Sequence, residues 1–85
     1  MTDILPIASA VYYKKGLYRK ALECLDKAAK LTSDDPTIME HIGDTYLKLN
    51  LPQKALEYYR LALEKKENEK TDLQEKIREL ETRGF

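Results

Sequence analysis

The feature that most constrains this chain is an internal repeat. Residues 20–23, Lys-Ala-Leu-Glu, recur at residues 54–57, so the offset is 54 − 20 = 34 residues. The same offset joins further identical pairs: Ile4 and Ile38, Tyr12 and Tyr46, Lys14 and Lys48, Leu17 and Leu51, Ala28 and Ala62. A fixed period of this size is typical of stacked helical pairs or propeller blades. The chain is therefore predicted to be a tandem repeat.

Composition favours helices over strands for this repeat. Charged residues make up 35% of the chain, and glycine and proline occur only three times each, which suits a helical protein better than a β-sandwich. The length of 85 residues is that of a single small domain, residues 1–85, with a core that has to be packed efficiently.

Apolar residues at helical spacing predict five helices. Their expected spans are about Asp3 or Pro6 to Lys15, Tyr18 to Leu31, Pro36 to Leu49, Pro52 onwards, and residues 71–83. Gly16 and Asn50 stand where a left-handed residue would end a helix. Asp35 is suited to cap the third helix, since aspartate is a preferred N-cap residue. The proline that follows it would stand at the first helical position, where proline is tolerated.

The boundary between the fourth and fifth helices has two interpretations. Residues 65–70 carry no apolar side chain, and Thr71 with Gln74 has the spacing of a capping box, which predicts a break. However, no glycine or proline occurs between Gln53 and Arg83, so one long fused helix is the alternative.

A second-repeat motif points to a known family. Met39-x2-Ile42-Gly43-x2-Tyr46, followed by an alanine and an aromatic residue at positions 55 and 59, resembles the tetratricopeptide repeat. Met39 stands where that family usually has tryptophan. The small Gly43 is expected to let the partner helix come close at position 55, while Tyr46 and the aromatic residue at position 59 fill the space where the pair splays apart.

The resemblance implies an all-α, helix-turn-helix solenoid of two 34-residue repeats plus a C-terminal capping helix. Repeat one spans about residues 2–35, repeat two about 36–69, and the capping helix about 71–83. Stacked pairs of this kind form a concave groove lined by the first helix of each pair.

Groove residues are predicted from the helix faces that point away from the apolar stripes. They are Ile7, Ala10 and Lys14 on the first helix, Thr37, Glu40, His41, Asp44 and Lys48 on the third, and Gln74, Glu75 and Arg78 on the fifth. The groove centre is thus expected to be acidic and its ligand to be a basic or apolar extended peptide. The lysine, asparagine and arginine pattern with which family members bind acidic chaperone tails is absent: its positions hold Pro6, Ala10, His41, Thr71 and Glu75.

Catalytic, metal and nucleic-acid functions find no support in the sequence. The net charge is zero, so nothing draws the chain toward nucleic acid or an anionic membrane. His41 and Cys24 are the single histidine and cysteine, whereas a metal site needs three or four ligands; a surface histidine and a half-buried thiol are expected, with no cofactor. No apolar run reaches the ~18 residues of a membrane span, and no signal peptide is evident, which favours the cytoplasm.

Two functions are consistent with the sequence. The first is a non-catalytic protein- or peptide-binding module with its ligand in the groove. The alternative is a structural or self-assembly element that uses its solenoid ends. Ile4, Ile7 and Val11 form a second apolar strip on the first helix, which predicts a homodimer through that helix or a further repeat packed there in a longer chain.

Overall fold

The structure, a computed structural model, describes residues 10–83, and every regular element in that range is an α-helix. The described part of α1 is residues 10–14. The remaining helices are α2 (Tyr18–Leu31), α3 (Pro36–Lys48), α4 (Pro52–Lys65) and α5 (Thr71–Thr82). The predicted all-α class is confirmed, and the predicted starts of α2, α3 and α4 coincide with the observed ones.

Left-handed residues end α1 and α3 in the same way. Gly16 has φ +80°, its N–H donates to the Tyr13 carbonyl at 3.1 Å, and the Leu17 N–H donates to the Tyr12 carbonyl at 2.9 Å. These are the two bonds of a Schellman motif. Both recur 34 residues later around Asn50, which has φ +62°. The predicted stops are confirmed.

The connection between α2 and α3 contains the predicted cap. The Asp35 carboxylate accepts hydrogen bonds from the backbone N–H groups of Thr37, at 2.8 Å, and Ile38, at 3.4 Å. Ser33 and Asp34 precede it with φ of +56° and +63°. These two left-handed residues turn the chain sharply, and the sequence analysis did not predict them.

Helices α4 and α5 are separate, so the fused-helix alternative is wrong. The chain leaves α4 after Lys65 and passes through Glu69, which has φ +53°. The predicted capping box is also wrong. Lys70 is already in the α region, and its carbonyl accepts from the Gln74 N–H at 2.9 Å. Thr71 is therefore the first residue inside the helix rather than its cap, and no side chain caps α5.

The repeat is also visible in side-chain contacts. Lys20 Nζ lies 5.9 Å from the centre of the Tyr12 ring, and Lys54 Nζ lies 5.8 Å from the centre of the Tyr46 ring. Both distances allow a cation–π interaction. The two contacts are 34 residues apart, so the same lysine–tyrosine contact joins the two helices of each pair.

The core lies between α2, α3, α4 and α5, with α3 packed against both α2 and α4. Gly43 is the closest point of α3 to α4. A Cβ atom there would lie 2.6 Å from Tyr59 Cε1 and 3.2 Å from the Ala55 carbonyl oxygen. The predicted close approach at position 55 is confirmed. The prediction that Tyr59 fills a splayed region is wrong, because its ring lies directly over Gly43.

Helix α5 covers the α4 side of the stack. Leu73, Ile77 and Leu80 are buried there, and the remaining described side chains of α5 are exposed except for the half-buried Lys76. Among residues 10–83, no helix combines the length and apolar character needed to cross a membrane.

Candidate functional site

A cleft opens between α1 and α3, on the face formed by the first helix of each pair. Its volume is about 260 Å³. The described residues that line the cleft are Ala10, Tyr13 and Lys14 of α1, Leu25 of α2, and His41, Asp44 and Thr45 of α3. Four predicted groove residues, Ala10, Lys14, His41 and Asp44, therefore meet in one concavity.

The part of the cleft floor that described residues form is apolar and has no unpaired buried polar group. Leu25 is buried, and Thr45 is fully buried. The Thr45 hydroxyl donates to the His41 carbonyl oxygen at 2.8 Å, so its hydrogen-bonding capacity is used within α3. A ligand group reaching the floor would consequently meet carbon rather than an open donor or acceptor.

Tyr13 forms an aromatic wall of the cleft. Its ring makes an edge-to-face contact with Tyr18, with centroids 5.4 Å apart, a favourable arrangement for aromatic pairs. Burial, and then the negative charge of Asp44, raise the pKa of Tyr13 above its ordinary value. The phenol therefore stays neutral at physiological pH and presents a polar hydroxyl beside an apolar ring.

A polar cluster, defined as Glu40, Asp44, Tyr59 and Lys76, lies beside the cleft and joins α3, α4 and α5. Lys76 Nζ lies 2.6 Å from Glu40 Oε2 and 3.2 Å from Asp44 Oδ1. The Tyr59 hydroxyl donates a hydrogen bond to Asp44 Oδ1. Lys76 Nζ also lies 5.6 Å from the centre of the Tyr59 ring.

Protonation of the polar cluster is set by its geometry. Burial raises the pKa of Tyr59, and the hydrogen bond and charge of Asp44 raise it further. For Lys76, burial acts to lower the pKa, but the hydrogen bond to Glu40 and the charges of Asp44 and Glu40 outweigh it, so the pKa is raised. The cluster thus holds a neutral phenol and a charged ammonium at physiological pH.

The two acidic residues predicted at the groove centre share one basic neighbour. Asp44 lines the cleft, whereas Glu40 lies beside it in the polar cluster. Both carboxylates contact Lys76, which the sequence analysis omitted. A sequence signal for Lys76 existed. It lies three residues after Leu73 and four before Leu80, so it belongs to the helix face that packs on the repeats.

The other predicted groove residues do not line the cleft. Ile7 lies outside the described residues. Thr37, Lys48, Gln74, Glu75 and Arg78 are exposed. These exposed residues and the cleft together make up the groove that is proposed below as the binding surface. His41 is exposed and Cys24 half-buried, as expected. Among residues 10–83, no group of three metal-ligating side chains comes together.

Comparison with known proteins supports the motif. A family model described as TPR repeat matches residues 10–50, and one described as tetratricopeptide repeat matches residues 36–69. The human protein O-mannosyl-transferase TMTC1 is 36% identical over 62 residues, 68% of this chain but 7% of the relative. The chain thus spans a small part of that protein, whose transferase activity does not follow from this match. The helical pairs, the 34-residue period and the two matches together show that the chain belongs to the tetratricopeptide repeat family.

Proposed function

We propose that this chain is a non-catalytic module that binds an extended peptide along the groove formed by α1, α3 and α5, with one ligand side chain inserted into the cleft. Proteins of this family are in general protein-interaction scaffolds. The single observation that carries the proposal is the cleft itself, because residues of α1 and α3, the first helices of the two pairs, line it. Solenoids of this kind use a concave surface for binding.

The lining supports binding rather than catalysis. A catalytic site needs a nucleophile or base oriented by a third group. In the cleft, the Thr45 hydroxyl is bonded to a backbone carbonyl and the Tyr13 phenol is held neutral. Asp44 is occupied by Lys76 and Tyr59. What remains is an apolar floor with a polar rim, which is the usual composition of a ligand pocket.

The ligand character follows from the charges around the cleft. A basic peptide was expected because Glu40 and Asp44 face the groove, but Lys76 already pairs with both. A ligand cation would have to displace that lysine from two partners. The apolar alternative within the same expectation needs no such exchange, so an apolar anchor side chain is the better-supported ligand feature.

The experiment is selection from a displayed library of random peptides, followed by titration against two variants. His41→Trp places an indole at the cleft, where it should block the anchor site. Selected peptides should then bind at least about fivefold more weakly, since an interface anchor contributes about 1 kcal/mol or more.

The matched control is Gln53→Trp, which adds the same side chain at an exposed position of α4. Binding should be unchanged there. If both variants bind the selected peptides like the parent chain, the cleft is not the binding site.

Self-association through α1 is the second candidate, because Val11 is 47% exposed on that helix. Val11→Lys should make a homodimer dissociate while the helical signal in circular dichroism stays unchanged. Light scattering after size exclusion reports the result. If the parent chain is monomeric at high concentration, self-association through α1 is wrong.

A further inference from the structure

We propose that the anchor side chain taken by the cleft is aromatic and that the peptide carries a carboxylate next to it. The inference rests on the proposed function, since it names the ligand chemistry of the same groove. The volume of the cleft, its aromatic wall and the lysine at its rim support it.

The volume of the cleft sets the size of the anchor. An apolar cavity of about 150 Å³ is large enough to hold benzene, and the cleft measures about 260 Å³. An alanine or valine side chain would leave much of this space empty and would forfeit the contacts of the lining atoms. A phenyl or indole group fills it better.

The wall of the cleft suits a ring. Tyr13 is held by Tyr18 in an edge-to-face pair, which fixes the orientation of its ring before a ligand arrives. A ligand ring placed against a fixed aromatic wall gains about 0.5–1.5 kcal/mol beyond burial of its area. Ala10 adds only a methyl group to the lining at α1, so it leaves space for the ring.

The charges around the cleft favour a carboxylate beside the ring. Among residues 10–83, the charged groups that line or adjoin it are Lys14, Asp44, Glu40 and Lys76, with His41 at the rim. Lys76 pairs with both carboxylates, whereas Lys14 is exposed and has no ion-pair partner among residues 10–83. Lys76 supplies one positive charge against the two negative charges of Glu40 and Asp44, so these three groups together keep one negative charge. The ammonium of Lys14 lies at the α1 side of the cleft, and its complement is an anion.

Three capped dipeptides test this chemistry: acetyl-Phe-Asp-amide, acetyl-Phe-Asn-amide and acetyl-Leu-Asp-amide. Each is titrated into the ¹⁵N-labelled chain, and amide shifts give the affinity and the location. The Phe-Asp probe should shift amides of α1 and α3 around Lys14 and His41. It should bind about two- to fivefold more tightly than Phe-Asn, as for an exposed ion pair. It should also bind about two- to tenfold more tightly than Leu-Asp, because of the aromatic contact.

Lys14→Met tests the charge separately from the ring. The preference for Phe-Asp over Phe-Asn should disappear while Phe-Asn binds as before, and it should also weaken in the parent chain at high salt. Lys27→Met is the matched control, since Lys27 is an exposed lysine on α2 outside the lining, and it should keep the preference.

The inference is overturned if Phe-Asp binds no better than Phe-Asn or Leu-Asp, if its shifts lie away from the cleft, or if it does not bind. Library-selected peptides separate this failure from that of the proposed function. If they bind in a manner that His41→Trp blocks, yet lack an aromatic–acidic pair, the groove function stands and the anchor chemistry is wrong. If no selected peptide responds to His41→Trp, both fail.

Discussion

Gly43 shows how one absent side chain sets the distance between two helices. It is buried within α3, and the Tyr59 ring of α4 lies where its Cβ would be. The Tyr59 hydroxyl then reaches Asp44, which lines the cleft. A glycine in the core thus positions a tyrosine that in turn holds a residue of the candidate site.

Gly43→Ala should destabilise the protein. The added methyl group overlaps Tyr59, and overpacking of this kind costs about 1–3 kcal/mol, against a gain of about 1 kcal/mol in helix propensity. We expect a net loss of roughly 1 kcal/mol in the free energy of unfolding, measured by urea denaturation. Gly16→Asn is the control, because asparagine already ends α3 at Asn50 with the same left-handed geometry. Equal or greater stability of Gly43→Ala would contradict the packing described.

Stability should fall as the pH rises above about 10, the ordinary pKa of tyrosine and lysine. Tyr59 and Lys76 both have raised pKa values in the folded chain. Below the unfolded pKa both states carry these protons, and the stabilisation is complete. Above it the unfolded chain releases them first, so the unfolded state is favoured.

Tyr59→Phe removes one of the two groups and should reduce the loss of stability between pH 8 and pH 10.5. Urea unfolding at the two pH values measures this difference. If the variant loses as much stability over this interval as the parent chain, Tyr59 is not one of the linked groups.

Helix α5 is held at its position by apolar and polar contacts of different kinds. Leu73, Ile77 and Leu80 supply the buried stripe. Lys76 joins α5 to α3 through Glu40. An ion pair between Arg60 and Glu81, at 2.6 Å, joins α5 to α4. The two polar contacts differ in exposure. The Glu40 side chain is 18% exposed, whereas those of Arg60 and Glu81 are 56% and 50% exposed.

Lys76→Met should therefore lower the free energy of unfolding more than breaking the exposed ion pair between Arg60 and Glu81 does. It leaves Glu40 and Asp44 close together without a cation, and we expect a loss of about 1–2 kcal/mol, between the values for exposed and buried pairs. Glu81→Gln should change stability by less than about 1 kcal/mol. Equal effects in urea unfolding would mean that the polar cluster does not position α5.

The helices could be predicted from the sequence because their signals are local. The left-handed stop at Gly16 and the aspartate cap at Asp35 each depend on a few neighbouring residues, and the 34-residue period repeats the stop at Asn50. The predicted start of α5 at residue 71 matches the structure, but the capping role assigned to Thr71 does not, because Lys70 takes the N-cap position and Thr71 is the first helical residue. That choice depends on the backbone path after Glu69, which no local pattern specifies.

The candidate site was predictable only in part for the same reason. Ala10, Lys14, His41 and Asp44 were assigned from helix faces, and the structure brings them to one cleft. The pairing of Lys76 with Glu40 spans 36 residues and depends on how α5 docks. Without it the groove centre appeared acidic, and the ligand was expected to be basic or apolar.

At the scale of the whole molecule, the two ends of the stack differ. The α5 end is covered by a helix whose outward side chains are charged or polar, while Val11 is exposed on α1 at the other end. The cleft lies between α1 and α3, far in sequence from the cap but joined to it through Asp44 and Lys76. The proposed function depends on the face that carries this cleft.

The most direct test of that function is the location of a bound peptide. Intermolecular nuclear Overhauser effects should be measured between a library-selected peptide and the isotope-labelled chain. Contacts from one peptide side chain to Ala10, Tyr13 and Thr45 are the predicted result. Contacts confined to the outward faces of α2 and α4 would contradict it.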